Sequence, residues 1–176
     1  MSDSYLRYTD DSDRAYGVAG MSVAMVLWEG EPYLASVSID SPVGESIQFT
    51  PAFGFNGNPR MTASIAWREM QSRFELSAAM IMGNVMCRSY VQRSQPLSNN
   101  VAAQLRAIIR DEASEKCSLD SDEADLVYNK VYRYLDRVFT HSGVSSITAG
   151  LADTLMQRRT LTGGEIIEIL SALNRM

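Results

Sequence analysis

Fourteen consecutive residues, AYGVAGMSVAMVLW (Ala15–Trp28), carry no charge, and two glycines, Gly17 and Gly20, stand inside the run. Its apolar residues have helical spacing, which predicts a helix from about Asp13 to Trp28. Each interior glycine costs such a helix about 1 kcal/mol relative to alanine, so something must offset that cost. Crossing a bilayer takes about 20 apolar residues, so the run is too short to span one. Neither a basic segment nor a cleavage site accompanies it, which argues against a signal peptide. The expectation is a cytoplasmic protein with no membrane partner.

The chain has 176 residues, enough for one domain to bury a stable core without disulfides or metal. Apolar residues make up 45% and charged residues 21%, which excludes disordered and fibrous classes. The net charge of -5 repels phosphate backbones, so no nucleic-acid partner is expected, although a local arginine patch is compatible with that sum. Four of the acids, Asp3, Asp10, Asp11 and Asp13, fall in residues 1–13, which read as a flexible acidic segment ahead of a single domain at 14–176. Cys87 and Cys117, thirty positions apart, form neither a disulfide framework nor a zinc knuckle.

Helices dominate the rest. After the uncharged helix, YLASVSID alternates Ala35, Val37 and Ile39 with Ser36 and Ser38, and ESIQFT alternates Ile47 and Phe49 with Ser46 and Gln48. This period of two predicts a small ribbon of strands. PAFGFNGNPR reads as a mobile loop. A long helix, with a bend or break, is expected over 61–93 and ends at SQPLS. Ser98 suits the N-cap of a helix with Val101, Leu105, Ile108 and Ile109 on one face. Asp120 with Glu123, and Thr162 with Glu165, have capping-box spacing at the starts of two further helices. The first of these places Val127, Val131, Tyr134, Leu135 and Val138 on its apolar face; between the two, a helix over about 144–158 runs through Ile147, Leu151 and Leu155.

The ending LADTLMQRRTLTGGEIIEIL is similar to the close of the peptidase domain of FtsH-type ATP-dependent zinc metallopeptidases. Earlier segments fall in that family's order. GVAGM stands at the position of the zinc-binding HEAGH helix, VSID and ESIQFT at the strands, MIMGNVM at a glycine-containing long helix, and LSNN where the third-ligand aspartate motif falls. The resemblance covers residues 14–173 and implies a mostly α fold, an FtsH-peptidase-like helical array with a small two- or three-stranded β-ribbon. It also implies that Ala19 and Gly20, like the middle of HEAGH, keep small atoms where the helix approaches its neighbours.

Two histidines at i and i+4 on one helix face grip Zn²⁺ while the intervening glutamate activates water. The positions that correspond here are Gly17, Val18 and Met21, and the third ligand position is Asn100. Glycine has no donor, valine cannot accept a proton, and a lone thioether is a poor Zn²⁺ ligand. The expectation is a degenerate site with no catalytic residue, no metal and no cofactor. The implied role is binding: to a protein partner, to a peptide laid along the strand Ile47, Gln48 and Phe49, or through self-association.

The rival readings are an active hydrolase or transferase with a relocated site, or a metallopeptidase-type protein with a non-standard metal site. Cys87 and His141 supply one nucleophile–base pairing to weigh, against the simpler reading of Cys87 as a buried inert thiol and His141 as a helix-end residue. The carboxylates Asp120, Asp122, Glu123 and Asp125 read as helix-capping charge, Arg106 with Arg110 and Arg133 with Arg137 as solvated faces, and Met21, Met25, Met80, Met82 and Met86 as core. The chain has no phosphate-binding GxxxxGK(S/T) loop, so it lacks the motor module of the family.

Overall fold

The computed structural model describes residues 7–42, 44–54 and 62–175. Its first helix, α1 (Asp11–Leu27), is capped by the Asp10 side chain, which accepts from the Asp13 N–H. The uncharged run is buried over most of its length, from Ala15 through Val26. Around it lie α2 (Ala63–Cys87), α5 (Ser142–Arg158), α6 (Gly163–Leu170) and the strand β1 (Leu34–Ser38), so that α1 is the central helix of the molecule.

Gly20 faces Gly83 of α2. A Cβ on Gly83 would come within 2.7 Å of the Gly20 carbonyl oxygen, and one on Gly20 would overlap the Gly83 carbonyl oxygen and Cys87 Cβ. The two backbones touch, with no side chain between them. The dispersion gained along this close crossing offsets the propensity cost of both glycines, and the small residue expected at Gly20 serves that approach.

The sheet has the order β2-β1-β3, with β2 (Ile47–Phe49) and β3 (Thr160–Thr162) both antiparallel to β1. Val37 lies opposite Ile47 on one side and Leu161 on the other, and all three are buried. The expected alternation is broken at Ala35, which is exposed while Leu34 is buried. A register shift between Leu34 and Ser36 accounts for this: an extra residue in β1 reverses the phase of side chains before it. Phe49 also departs from the expected inward face. It is 39% exposed and stacks on Phe53, ring centroids 4.1 Å apart, at the end of the sheet. Only Pro51–Phe53 of the expected mobile loop forms a described turn, Gly54 follows it, and residues 55–60 lie outside the described residues.

The long helix is unbroken from Ala63 to Cys87 and then widens into a π turn, Arg88–Gln92. Ser94, with φ 53°, and the SQPLS segment end it. Then α3 (Asn99–Cys117) opens under the Ser98 side chain, which accepts from the Val101 N–H. It closes with Ser118 in the left-handed region, the Leu119 N–H donating to the Ala113 carbonyl and the Ser118 N–H to the Ser114 carbonyl. Capping boxes open α4 (Ser121–Thr140) at Asp120/Glu123 and α6 at Thr162/Glu165. On α4 the buried stripe is Ala124, Tyr128, Val131, Leu135 and Phe139. Tyr134, expected inside, is 37% exposed, edge-on to Trp28 and with the Arg137 guanidinium over its ring. No helix among the described residues is long and apolar enough to cross a membrane.

Candidate functional site

Gly17, Val18 and Met21 share one stretch of α1. Val18 is fully buried, Gly17 is buried and Met21 partly so. The space beside Gly17 is occupied. An added Cβ there would lie 2.8 Å from Tyr8 Cε1 and 2.9 Å from the Asn84 amide of α2. The Asn84 Nδ2 donates to the Tyr8 hydroxyl at 2.8 Å and to Met21 Sδ at 3.2 Å, while its buried Oδ1 has no hydrogen-bond partner. Phenol, amide and thioether therefore converge at this turn. None of the three is an anionic or imidazole donor of the kind Zn²⁺ favours, so these residues do not fit that metal.

Asn100 is the second residue of α3, exposed, and its Oδ1 accepts from Gln104 Nε2 at 3.4 Å. Among the described residues no group of three His, Cys, Asp or Glu side chains is arranged to hold a metal ion. Cys87 is fully buried in α2 against Gly20, and burial pushes its thiol far above the usual range, which makes it a weak nucleophile. His141 lies between α4 and α5 at a cleft with Leu27, Val138 and Leu173, whose lining does not include Cys87.

The third strand-site feature is open. In β2 the Ser46 carbonyl accepts from the Ser38 N–H and the Thr50 N–H donates to the Tyr33 carbonyl, so those groups point at β1. By the alternation of a strand, the N–H and C=O of Ile47 and Phe49 point the other way, and among the described residues no strand pairs with that edge. Ile47 is anchored in the core, whereas Gln48 and Phe49 are exposed. An aromatic cluster continues the surface: Phe53 stacks on Phe49 and meets Tyr33 edge-on, and the Arg73 guanidinium sits 4.1 Å from the Tyr33 ring centroid.

The charged groups with the strongest mutual pull were not legible as a site. Asp13, read as part of the flexible acidic segment 1–13, is inside α1 and fully buried. Arg88 grips it with Nε at 2.8 Å and Nη2 at 2.5 Å, Arg93 adds a contact at 2.9 Å, and the Thr9 N–H donates at 3.0 Å. Burial alone would raise the Asp13 pKa; the hydrogen bonds from Arg88 and Thr9 and the charges of Arg88 and Arg93 outweigh it and hold the carboxyl below the usual range. The one sequence signal was Arg88 itself, a cation directly after the apolar MIMGNVMC, which a buried helix end can hold only beside a carboxylate.

The remaining readings divide. Asp120 and Glu123 cap α4, and Asp125 accepts both arms of Arg110, so that acidic cluster is structural. Arg106 and Arg110 are 41% and 43% exposed, as on a solvated face, and also reach Asn129 and Asp125 of α4. Met25, Met80, Met82 and Met86 are core. No protein-family model, curated protein or solved structure matches this chain.

Proposed function

We propose that this chain is a catalytically inactive, metallopeptidase-like domain that binds an extended peptide or an unfolded protein segment along β2. The observation that carries the reading is the open edge at Ile47 and Phe49, with outward backbone groups and the exposed Phe49 ring, stacked on the half-buried Phe53, alongside. An added strand gains main-chain hydrogen bonds there, and the rings of Phe49 and Phe53 give its side chains apolar surface. The relation to FtsH-type peptidases rests on motif order, and Tyr8 and Asn84 beside Gly17 favour binding over zinc-dependent hydrolysis.

The test uses carboxymethylated casein, an unfolded chain, in anisotropy and cleavage assays with and without added zinc. Binding without cleavage is expected. Phe49→Pro removes the outward N–H and the ring, and is expected to abolish binding, whereas Phe49→Val keeps the N–H and retains part of it. Cleavage abolished by a chelator, or binding unaltered by Phe49→Pro in a folded variant, overturns the reading.

A further inference from the structure

Between the π turn and the start of α3 lies a cavity of about 300 Å³ whose lining includes Arg7, Arg88 and Arg93 and, among the described residues, no acidic one. In a chain of net charge -5 this is a local inversion of sign. Asp13 stands behind the lining, paired with Arg88 and Arg93. Among the described residues three guanidiniums face one carboxylate, an excess of two positive charges, and Arg7 has no carboxylate partner there. Arg93 is tied to Asp13 through one Nη2, yet its side chain is 47% exposed, which leaves most of its five donors for another acceptor.

Two further features belong to the same cavity. Ser98, the N-cap of the 19-residue α3, contributes to its wall, so the positive end of that helix dipole adds to the arginine field. Val85, Leu97 and Val101 supply an apolar side. The volume is at the small end of the range for ligand pockets, roughly 300–1,000 Å³, and suits a body about the size of one ring or a short chain.

We propose that this cavity binds a small molecule carrying a phosphate monoester on a compact apolar body. A phosphate monoester has a charge of about -1.5 to -2 at neutral pH, which matches the two uncompensated guanidiniums; a carboxylate would cancel one. Arginine's planar fork pairs with phosphate oxygens in bidentate fashion, and Arg7 and Arg93 are the two residues assigned to that contact. The site is separate from the β2 edge and stands or falls independently of it.

Titration calorimetry on the full chain in about 20 mM salt, where screening is weak, tests this with phenyl phosphate, inorganic phosphate and benzoate. Phenyl phosphate is expected to bind saturably with one site and to shift the Ser98 and Val101 amide resonances. Inorganic phosphate, lacking the ring, binds more weakly. Benzoate, with one charge, binds at least about tenfold more weakly, the scale of one lost charge-assisted contact. Arg7→Gln removes no ion pair among the described residues, and with Arg93→Gln it is expected to weaken phenyl phosphate by tenfold or more while the far-UV circular dichroism is unchanged. Absence of saturable binding, benzoate binding as tightly as phenyl phosphate, or folded variants binding like the parent overturns the proposal.

Discussion

At the scale of single residues, the two helical glycines differ in what surrounds them, and that sets the order of their substitution costs. Gly20→Ala drives a methyl into the Gly83 carbonyl, which is backbone and cannot rotate away. We expect a loss of roughly 3 kcal/mol in urea unfolding, the upper range for overpacking. Gly17→Ala meets the ends of the Tyr8 and Asn84 side chains, which can yield. Its strain of about 1–3 kcal/mol is reduced by about 1 kcal/mol of regained helix propensity, so it should be the milder change. Asp13→Asn leaves Arg88 buried beside a neutral amide and should cost about 3–5 kcal/mol. The Asp13 carboxyl titrates below its unfolded value of 3.8, so its contribution is complete above that pH and lost as pH falls through the lower folded value. Unfolding free energy measured from pH 5 down should therefore fall more steeply in the parent than in Asp13→Asn. None of this was legible at Asp13, because its partners lie 75 and 80 positions away and the residues just before it, Thr9 to Ser12, are all acidic or polar.

At the scale of elements, what was legible was local. Ser98, Asp120 with Glu123, and Thr162 with Glu165 cap the helices for which their spacing predicts them, since a cap is a contact across three residues. Asp120→Ala should cost about 1 kcal/mol of thermal stability by losing its half of the box. The helix end at Ser118 offers the opposite change. A non-glycine residue in the left-handed region is strained, so Ser118→Gly should raise stability by roughly 1 kcal/mol in the same measurement. The features that escaped sequence reading depend on a second element. The β1 register shift is set by its pairing with β2, and β3, three residues of mixed polarity, has no pattern until it meets Ser36, Val37 and Ser38. Tyr134 left the expected apolar face because Trp28, from the end of α1, offered its ring an edge-on partner at the surface.

For the whole molecule, the period and caps sufficed for a mostly helical fold with a small sheet, and the structure has that form with three strands. The candidate site was less accessible, because Tyr8, Gly17, Asn84 and Arg88 converge only after α1 and α2 cross. That crossing also predicts how the protein unfolds. With α1 packed on α2, α5, α6 and β1, none of α2, α5 and α6 can leave without exposing the uncharged run. Urea transitions followed by Trp28 fluorescence, in a Trp67→Phe background, and by far-UV circular dichroism should coincide.

The occupied space beside Gly17 reaches beyond stability. An imidazole at that position would find the Tyr8 ring and the Asn84 amide already where it must stand. Installing a metal-gripping turn there would therefore demand that two distant residues leave before a third arrives, and each departure alone opens a hole or strands a polar group. The side chains that fill this space also defend it.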